Sequence, residues 1–275
     1  MNFYYIGARF VRRFLPLSVT HFMMRHRILI KPGMESYAPK AAVERYLKAM
    51  DASGLSLEGK RVMDFGYGGY FGTGVELLRQ GAAHVVLCDP FATMDEAGNA
   101  ALLEEYGEYL ISENGRTLPN PEFITLLSKN IFDIEAGEIE LMDIVISTSV
   151  LEHLDDVDGI MGALANLTSP TGVNLHFVDL RDHFFKFPFE MLTFSQSTWS
   201  RWLNPPSNLN RYRVWDYEKL LPNSFGNVDI EIVDRDEPEF EKARQKIRPE
   251  FLSGDFAKDT AIRIRVLASE PVTGQ

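Results

Sequence analysis

The sequence predicts an α/β protein built on a doubly wound, mostly parallel sheet of seven strands. Short runs rich in β-branched residues alternate with longer helical patterns, and this alternation is typical of parallel βαβ units. The first five strand patterns are apolar on both faces, as central parallel strands are, whereas the last two alternate polar and apolar residues. We therefore expect the last two to pair as an antiparallel hairpin at one edge of the sheet.

The predicted elements follow one another without an internal repeat or a low-complexity linker. The first half consists of a strand at 61–65, a helix at 75–80, a strand at 85–89, a helix at 94–110, and strands at 123–128 and 142–148. The second half consists of a helix at 157–167, a strand at 173–179, a helix at 216–221, and strands at 228–233 and 261–266. The sequence Pro170-Thr171-Gly172 predicts a turn before the fifth strand.

Composition and charge limit the function classes. The 275 residues are 45% hydrophobic and 24% charged, which is ordinary for one globular domain. A formal net charge of −11 argues against a general nucleic-acid binder. The single cysteine, Cys88, lies in an apolar strand pattern, so we expect neither an internal disulfide nor a cysteine-rich metal site. No apolar run approaches the ~18 residues of a membrane span, and we expect a cytoplasmic protein that acts on small molecules.

The clearest motif is the turn DFGYGGYFGTG, which places five glycines in the eleven residues from Asp64 to Gly74. It connects the first strand to a helix, where ligands bind beyond the carboxyl ends of parallel strands. Glycine permits positive φ and lets a ligand lie against backbone N–H groups. The dinucleotide pattern GxGxxG fails because its third position is Phe71, and no Gly-Lys-Ser/Thr follows for a P-loop.

Four segments, in order, carry a resemblance to a known family: VMDFGYGG, VVLCDP, MDIVISTSVLEHL and VNLHFVDL. Over roughly residues 40 to 270 the chain resembles the class I S-adenosylmethionine-dependent methyltransferases. The resemblance implies a Rossmann-like sheet whose last strand is antiparallel, S-adenosyl-L-methionine as the cofactor, and methyl transfer as the reaction. The segment after the fifth strand is similar to a bacterial subgroup associated with sugars and cell-surface glycans.

The resemblance also implies which residues hold the cofactor. Gly66 and Gly68 would face its methionine part, with Asp64 supporting the turn, and Asp89 would accept both ribose hydroxyls. An acid suits that role because one two-oxygen acceptor matches two adjacent hydroxyl donors. The full set of expected cofactor residues is Asp64, Gly66, Gly68, Gly69, Tyr70, Asp89, Pro90, Asn130, Ile131, Ser147 and Thr148.

Two positions depart from the family pattern. Tyr70 occupies the usual third glycine place, and Asn130 replaces the acid that usually meets the adenine edge. The first departure keeps open a catalytically silent cofactor-binding module. A nicotinamide-dependent oxidoreductase is a further alternative, against which the missing third glycine counts.

The acceptor side is predicted in an aromatic insertion near 180–215. A hydroxyl acceptor needs a base, and histidine is the natural base near neutral pH. His183, just past the fifth strand and beside Asp182, is the first candidate, and His153 across the cleft is the second. A turn-capping role for His183 and an exposed, structural role for His153 are equally compatible with the sequence. No cluster has metal-site spacing along the chain, so we expect a metal-independent enzyme.

Residues 1–40 differ chemically from the methyltransferase-like region, residues 41–275. Seven lysines and arginines against one glutamate give this arm a net charge of +6, which leaves −17 for the rest. Aromatic residues interleave with the arginines, as in a basic amphipathic arm. Three roles remain open, namely a lid over the cofactor cleft, a contact with an anionic membrane, and a contact with a second subunit. We favour the lid, because the acidic body would attract it.

The sequence therefore predicts a metal-independent methyltransferase that acts on a small-molecule or sugar-like acceptor, at oxygen.

Overall fold

The computed structural model describes residues 2–15, 19, 38–135, 137–184 and 186–272. Most of the arm, residues 16–18 and 20–37, lies outside the described residues. The strands are β1 (Arg61–Phe65), β2 (His84–Cys88), β3 (Leu110–Glu113), β4 (Arg116–Pro119), β5 (Ile124–Leu127), β6 (Met142–Thr148), β7 (Thr168–Asp179), β8 (Phe225–Arg235) and β9 (Ala261–Pro271).

Seven of these strands form one sheet in the order β5-β2-β1-β6-β7-β9-β8. β1 pairs in parallel with β2 and β6, and β7 continues the parallel set beside β6. The last strand, β9, is antiparallel to both of its neighbours, β7 and β8. This topology confirms the predicted Rossmann-like methyltransferase fold.

Seven helices of at least seven residues accompany the strands in the described part of the chain. They are α1 (Phe3–Phe14), α2 (Pro39–Ala52), α3 (Gly72–Arg79), α4 (Glu96–Tyr106), α5 (Val157–Leu167), α6 (Val214–Leu220) and α7 (Glu237–Ala243). Shorter helical turns lie at Ile131–Asp133, Leu151–His153, Glu190–Thr193, Gln196–Thr198, Trp199–Leu203, Leu221–Asn223, Arg244–Lys246, Pro249–Phe251 and Phe256–Asp259. Each described helix is too short or too polar to cross a bilayer.

The two faces of the sheet pack against different helices. Met63 and Val145 point to the side covered by α5 and α6. Their chain neighbours Val62 and Ile144 point to the side covered by α2, α3 and α4, as the alternation of strand side chains requires. The insertion has a third core, in which Trp199 packs with Phe189 and with Phe240 of α7. The carboxyl edge of the parallel strands is thus held from both faces.

Two predicted boundaries were wrong. The helix expected at 94–110 ends at Tyr106, because the chain enters the antiparallel pair β3–β4. Its turn, Asn114-Gly115, has φ of +52° and +77°, and Asn-Gly between two short strands is a hairpin signal. The predicted turn Pro170-Thr171-Gly172 instead lies within β7, where the register with β6 is irregular.

His176 belongs to the core of the sheet. This β7 residue is fully buried, and its Nδ1 lies 2.7 Å from the hydroxyl oxygen of Ser147. Burial lowers the pKa of His176 from 6.5 to about 3. The side chain is therefore a neutral, structural partner of Ser147.

We expect His176 to make the fold acid-sensitive. Between pH 6.5 and about 3 the unfolded chain binds a proton at this position that the folded chain does not bind. The stability contributed by neutral His176 is therefore complete above pH 6.5 and is lost as the pH falls. Urea unfolding at about pH 4.5 should show His176→Gln retaining ~2–3 kcal/mol more of its pH 7 stability than the parent does.

His84→Gln serves as the comparison: burial also lowers the pKa of His84, but this residue is only partly buried at the start of β2, so its replacement should relieve less of the acid sensitivity. Equal acid sensitivity in the parent and in His176→Gln would contradict the assignment.

Candidate functional site

The predicted site residues meet where the parallel strands end. The glycine turn leaves β1, Asp89 follows β2, Thr148 ends β6 and Asp179 ends β7. Since β2, β1, β6 and β7 are consecutive neighbours in the sheet, their carboxyl ends form one continuous edge. In an open α/β sheet this edge is where ligands bind.

Two glycines of the turn are required by close backbone approach. Gly66 has φ +85°, and a Cβ there would lie 2.4 Å from Val150 Cγ2. Gly69 has φ +92°, and a Cβ there would lie 2.1 Å from the carbonyl oxygen of Thr93. Gly68 also has positive φ, +73°, yet nothing lies within 4 Å of the place for its Cβ. Gly68 thus borders open space into which a ligand can fit against the backbone.

The turn is held from outside by Asn99, which the sequence analysis missed. This buried α4 residue donates from Nδ2 to the carbonyl oxygen of Gly69 at 3.0 Å and accepts the N–H of Phe71 at 2.9 Å. The side-chain amide of Asn99 therefore hydrogen-bonds one backbone carbonyl and one backbone N–H of the connection between β1 and α3. An asparagine within the apolar helix pattern was the available signal, because this residue type is unfavourable in helix interiors unless it has a specific partner.

Asp89 lies beside Gly68, as the cofactor assignment requires. Its Oδ2 accepts the N–H of Gly68 at 3.1 Å, and its Oδ1 accepts the N–H of Phe91 at 2.8 Å. The carboxylate is partly exposed, so it still has acceptor capacity for two adjacent hydroxyls. Burial and the charges of Asp89 and Asp64 raise the pKa of the nearby Tyr67, which keeps its hydroxyl protonated. Asp64 itself is buried at the end of β1.

Tyr70 fills space that neighbouring glycines leave. A Cβ on Gly72 would lie 2.3 Å from its ring, and a Cβ on Gly98 would lie 3.2 Å from it. The ring therefore packs over the first turns of α3 and α4. A large side chain at the usual third glycine place is accommodated because these two positions are themselves glycine.

The remaining expected cofactor residues differ in exposure. Pro90 and Asn130 are exposed, and the Oδ1 of Asn130 accepts the N–H of Phe132 at 3.2 Å. Ile131 is buried in the core beneath. Ser147 is also buried, and its hydroxyl is engaged by His176, so only its backbone can face the cleft.

Thr148 connects the end of β6 to α2. Its hydroxyl oxygen lies 2.6 Å from Nη2 of Arg45 and 2.5 Å from the hydroxyl of Tyr46. The Arg45 guanidinium also lies 4.2 Å from the ring centre of Phe177. Arg45, which the sequence analysis missed, brings a fixed positive charge to the ligand edge. A guanidinium there suits the carboxylate of the cofactor's methionine part.

The acceptor side brings together Glu152, His153 and His183. Nε2 of His183 lies 3.8 Å from Oε1 of Glu152, and the two imidazole centres are 4.8 Å apart. Nδ1 of His153 lies 2.8 Å from the carbonyl oxygens of Ser207 and Asn208, so this nitrogen is the N–H donor. The unprotonated Nε2 of His153 is then an acceptor.

Burial sets the protonation of this group. The pKa of Glu152 is raised well above its usual range, first by burial and then by the charge of Asp179. The pKa of His183 is lowered well below its usual range by burial, by His153 and by the positive charges of Arg12, Arg9 and Arg181. Burial also lowers the pKa of His153. Both imidazoles are therefore neutral at neutral pH.

The loop that carries His183 is fixed by Asp182. This fully buried carboxylate accepts the hydroxyl of Tyr5, forms an ion pair with Arg9, and accepts the N–H of Phe184 at 2.7 Å. Two residues of α1 thus hold the position next to the proposed base. The described part of the arm packs against the acceptor side of the cleft and not against the glycine turn.

The same cluster bears on the expectation that the enzyme needs no metal. Glu152, His153 and His183 have ligand atoms within 4.8 Å of one another, which is compatible with a metal ion. No such spacing exists along the chain, but the fold creates it by joining the ends of β6 and β7. The positive charges of Arg9, Arg12 and Arg181 oppose a divalent cation here for the same reason that they oppose protonation of His183.

Comparison with known proteins identifies the family. A family model described as "Methyltransferase domain" matches residues 34–223, more than half of the chain. The chain belongs to the methyltransferase domain family. It is an S-adenosylmethionine-dependent enzyme, which confirms the predicted reaction class and cofactor and leaves no support for a nicotinamide-dependent oxidoreductase or a silent module. No curated protein sequence matches this methyltransferase.

Several solved structures are similar to this chain at low sequence identity. A Galdieria sulphuraria protein assigned as a sarcosine dimethylglycine methyltransferase is 13% identical, with a TM-score of 0.52, over 92% of this chain and 97% of that one. An S-adenosylmethionine-dependent methyltransferase from Mesorhizobium loti is 18% identical, with a TM-score of 0.46, over 80% and 95%. Phosphoethanolamine N-methyltransferase 2 of Haemonchus contortus, in complex with S-adenosyl-L-methionine, is 18% identical, with a TM-score of 0.48, over 83% and 53%.

Asp89 offers a direct test of the cofactor assignment. We expect Asp89→Ala to weaken S-adenosylmethionine binding by ~1.5–3 kcal/mol, because charge-assisted hydrogen bonds to the ribose are lost. Isothermal titration calorimetry measures this change. Asp133→Ala removes an exposed acid from the turn after β5 and should leave the dissociation constant unchanged. A folded Asp89→Ala protein with the parent's affinity would remove Asp89 from the site.

Proposed function

We propose that this methyltransferase transfers the methyl group of S-adenosylmethionine to a hydroxyl oxygen of a small-molecule or sugar-like acceptor, with His183 as the general base. The observation that carries the proposal is the pair of neutral imidazoles at the carboxyl ends of β6 and β7, next to the cofactor edge. Bound S-adenosylmethionine supplies the electrophilic methyl group. The protein must then position the acceptor and take its proton.

His183 has the properties that this proton transfer needs. Its ring is neutral at neutral pH and therefore able to accept a proton from the acceptor hydroxyl. Burial favours the protonated form of Glu152, 3.8 Å away, so this carboxyl group adds no negative charge that would hold the His183 ring protonated before the acceptor binds. His153 takes the second place in this proposal, since its Nδ1–H is fixed by backbone carbonyls and its Nε2 is an acceptor.

Aromatic rings near His183 support a sugar-like acceptor. Phe184 and Phe187 stack with ring centres 5.7 Å apart, directly after the base in sequence. Aromatic faces pack well against the C–H faces of sugar rings and also exclude water from a closed site. Release of S-adenosylhomocysteine, measured with sugar nucleotides and with simple phenols as acceptors, separates the two acceptor classes.

We also propose that the reaction needs no metal and takes place in the cytoplasm. The guanidiniums around His183 make its surroundings unfavourable for a dication. Turnover should therefore survive exhaustive dialysis against EDTA. Loss of activity on dialysis, with recovery on adding Mg²⁺, Mn²⁺ or Zn²⁺, would replace the free-base proposal by metal-assisted transfer at Glu152, His153 and His183.

The N-terminal arm is proposed as a lid on the acceptor side. The ring of Tyr5 in α1 stacks on that of Phe194, with centres 5.9 Å apart, and the Arg9 guanidinium lies 5.3 Å from the ring of Trp199. Tyr5 and Arg9 also contact Asp182, the residue before His183. Closure by α1 would thus exclude water where the acceptor loses its proton.

We expect His183→Asn to lower turnover by ~10²–10⁴-fold with little change in cofactor affinity, because a general base acts only in the transition state. The parent's activity should rise with pH through a group that titrates below the usual histidine value of about 6.5, since the pKa of His183 is lowered. That acidic limb should disappear in His183→Asn. Steady-state kinetics across pH, with calorimetry for S-adenosylmethionine, provide both readouts.

His84→Asn is the matched control, because His84 lies at the opposite, amino end of β2. A fully active His183→Asn and an inactive His153→Asn would move the base to His153. Two active variants with unchanged pH profiles would contradict base catalysis by either histidine.

The lid proposal predicts a specific effect of Arg9→Met. Removing the guanidinium leaves the Asp182 carboxylate buried without its cationic partner, which costs ~3–5 kcal/mol. We expect α1 to detach, so that trypsin cleaves after Arg12, a site that is kept in every variant, faster, and acceptor turnover falls while cofactor affinity is kept. Arg13→Met on the same helix is the control. Unchanged proteolysis and turnover in Arg9→Met would contradict the lid.

A further inference from the structure

Helix α1 has its polar face inside and its apolar face outside. Tyr5 and Arg9 are buried, at 0% and 1% exposure. Phe3 is 76% exposed, Tyr4 66%, Val11 61%, Phe14 59% and Phe10 46%. A helix on a globular protein normally buries its apolar stripe, so this arrangement is inverted.

The exposed side chains form one continuous stripe. Positions 3, 7, 10 and 14 follow a spacing of three and four residues, and positions 4 and 11 flank them on the same side. The rings of Phe10 and Phe14 are 4.9 Å apart. The 12 residues of α1 make the stripe ~18 Å long. Exposed apolar surface of this length marks an interaction site.

The stripe continues onto the insertion and is bordered by cations. Trp202, itself 41% exposed, stacks with Phe10 at 6.1 Å, and the guanidinium of Arg201 lies 4.9 Å from the Trp202 ring. Nζ of Lys186 lies 5.9 Å from the ring of Tyr4. Residues 2–15 contain no acid, and of their three arginines Arg9 is buried on the inner face whereas Arg12 and Arg13 are partly exposed. We call the α1 surface the set Phe3, Tyr4, Phe10, Val11, Phe14, Lys186, Arg201 and Trp202.

We propose that the α1 surface binds an anionic lipid bilayer. Aromatic and aliphatic side chains on one helical face, with lysine and arginine at its border, match the acyl boundary and the headgroups of such a membrane. A second copy of the chain is a poorer match, because a two-fold contact pairs the same surface of both copies and so brings two sets of the cations Lys186 and Arg201 into one interface. Charge complementarity therefore favours lipid.

The binding surface is mechanically linked to the acceptor side. The opposite face of α1 holds Asp182 through Tyr5 and Arg9, and the next residue is His183. A bilayer bound to the α1 surface would thus lie beside the loop that carries the proposed base. Binding itself does not depend on the acceptor or on the base assignment.

Vesicle flotation with the full chain tests the proposal. We expect flotation with phosphatidylglycerol–phosphatidylcholine vesicles and little with phosphatidylcholine alone. Phe10→Ser/Phe14→Ser should lower the partition coefficient by ~10-fold or more, since two aromatic rings that the bilayer would bury are lost. Ile111→Ser/Leu118→Ser is the matched control, because these residues form an exposed cross-strand pair on the β3–β4 hairpin.

Phe3→Ser/Val11→Ser tests the same stripe if the first double variant is unstable. Calorimetric titration with S-adenosylmethionine on the same samples shows separately whether the cofactor site is intact. The proposal is overturned if the parent protein does not float with anionic vesicles, or if both stripe variants float to the same extent as the parent. A parent dimer in light scattering that Phe10→Ser/Phe14→Ser converts to a monomer, without vesicle binding by the parent, would assign the surface to a second copy instead.

Discussion

A single buried carboxylate, Asp182, organises the acceptor side of this methyltransferase. It accepts the hydroxyl of Tyr5 and pairs with Arg9, although the tyrosine is 177 positions away along the chain. Burial of an unpaired carboxylate would be very unfavourable, so the loop after β7 and helix α1 must be placed together. Burial also raises the pKa of Tyr5 to about 12, which keeps its hydroxyl a donor to Asp182. The orientation of α1 and the position of His183 both follow from this requirement.

The charges near His183 explain why two histidines can sit side by side in a buried place. Arg181 donates to both oxygens of Asp179, and Arg9 is paired with Asp182, so each acid of the loop has its own guanidinium. Glu152 is the exception among the described acids here, because neither of its oxygens has a hydrogen-bond partner of normal geometry. Its burial favours the protonated form, and the neighbouring cations favour neutral imidazoles. The group is therefore close to uncharged despite the number of ionisable side chains.

The contact between Gly68 and Asp89 could be predicted from sequence because both residues closely follow a strand. Once β1 and β2 are neighbours, Gly68 and Asp89 must meet, and they do. Arg45 and Asn99 reach the same edge from helices, and a helix pattern does not say which residue points at a distant strand end. The burial of His176 could not be predicted from sequence for a related reason. A central parallel strand is buried on both faces, so alternation along β7 does not distinguish a core position from one that faces the cleft.

The composition of the arm does not determine which face of its helix is buried. The arm's seven cations predict a basic amphipathic segment, but amphipathicity states only that the two faces differ and leaves open which one is buried. Burying the aromatic face would leave Asp182 without Arg9, a loss of several kcal/mol, whereas exposing a few aromatic rings costs less when a partner surface can cover them. The buried carboxylate therefore decides the orientation of the helix. Because Arg9 faces inside, the cations that border the exposed face of α1 include Lys186 and Arg201 of the insertion, residues far from the helix in sequence.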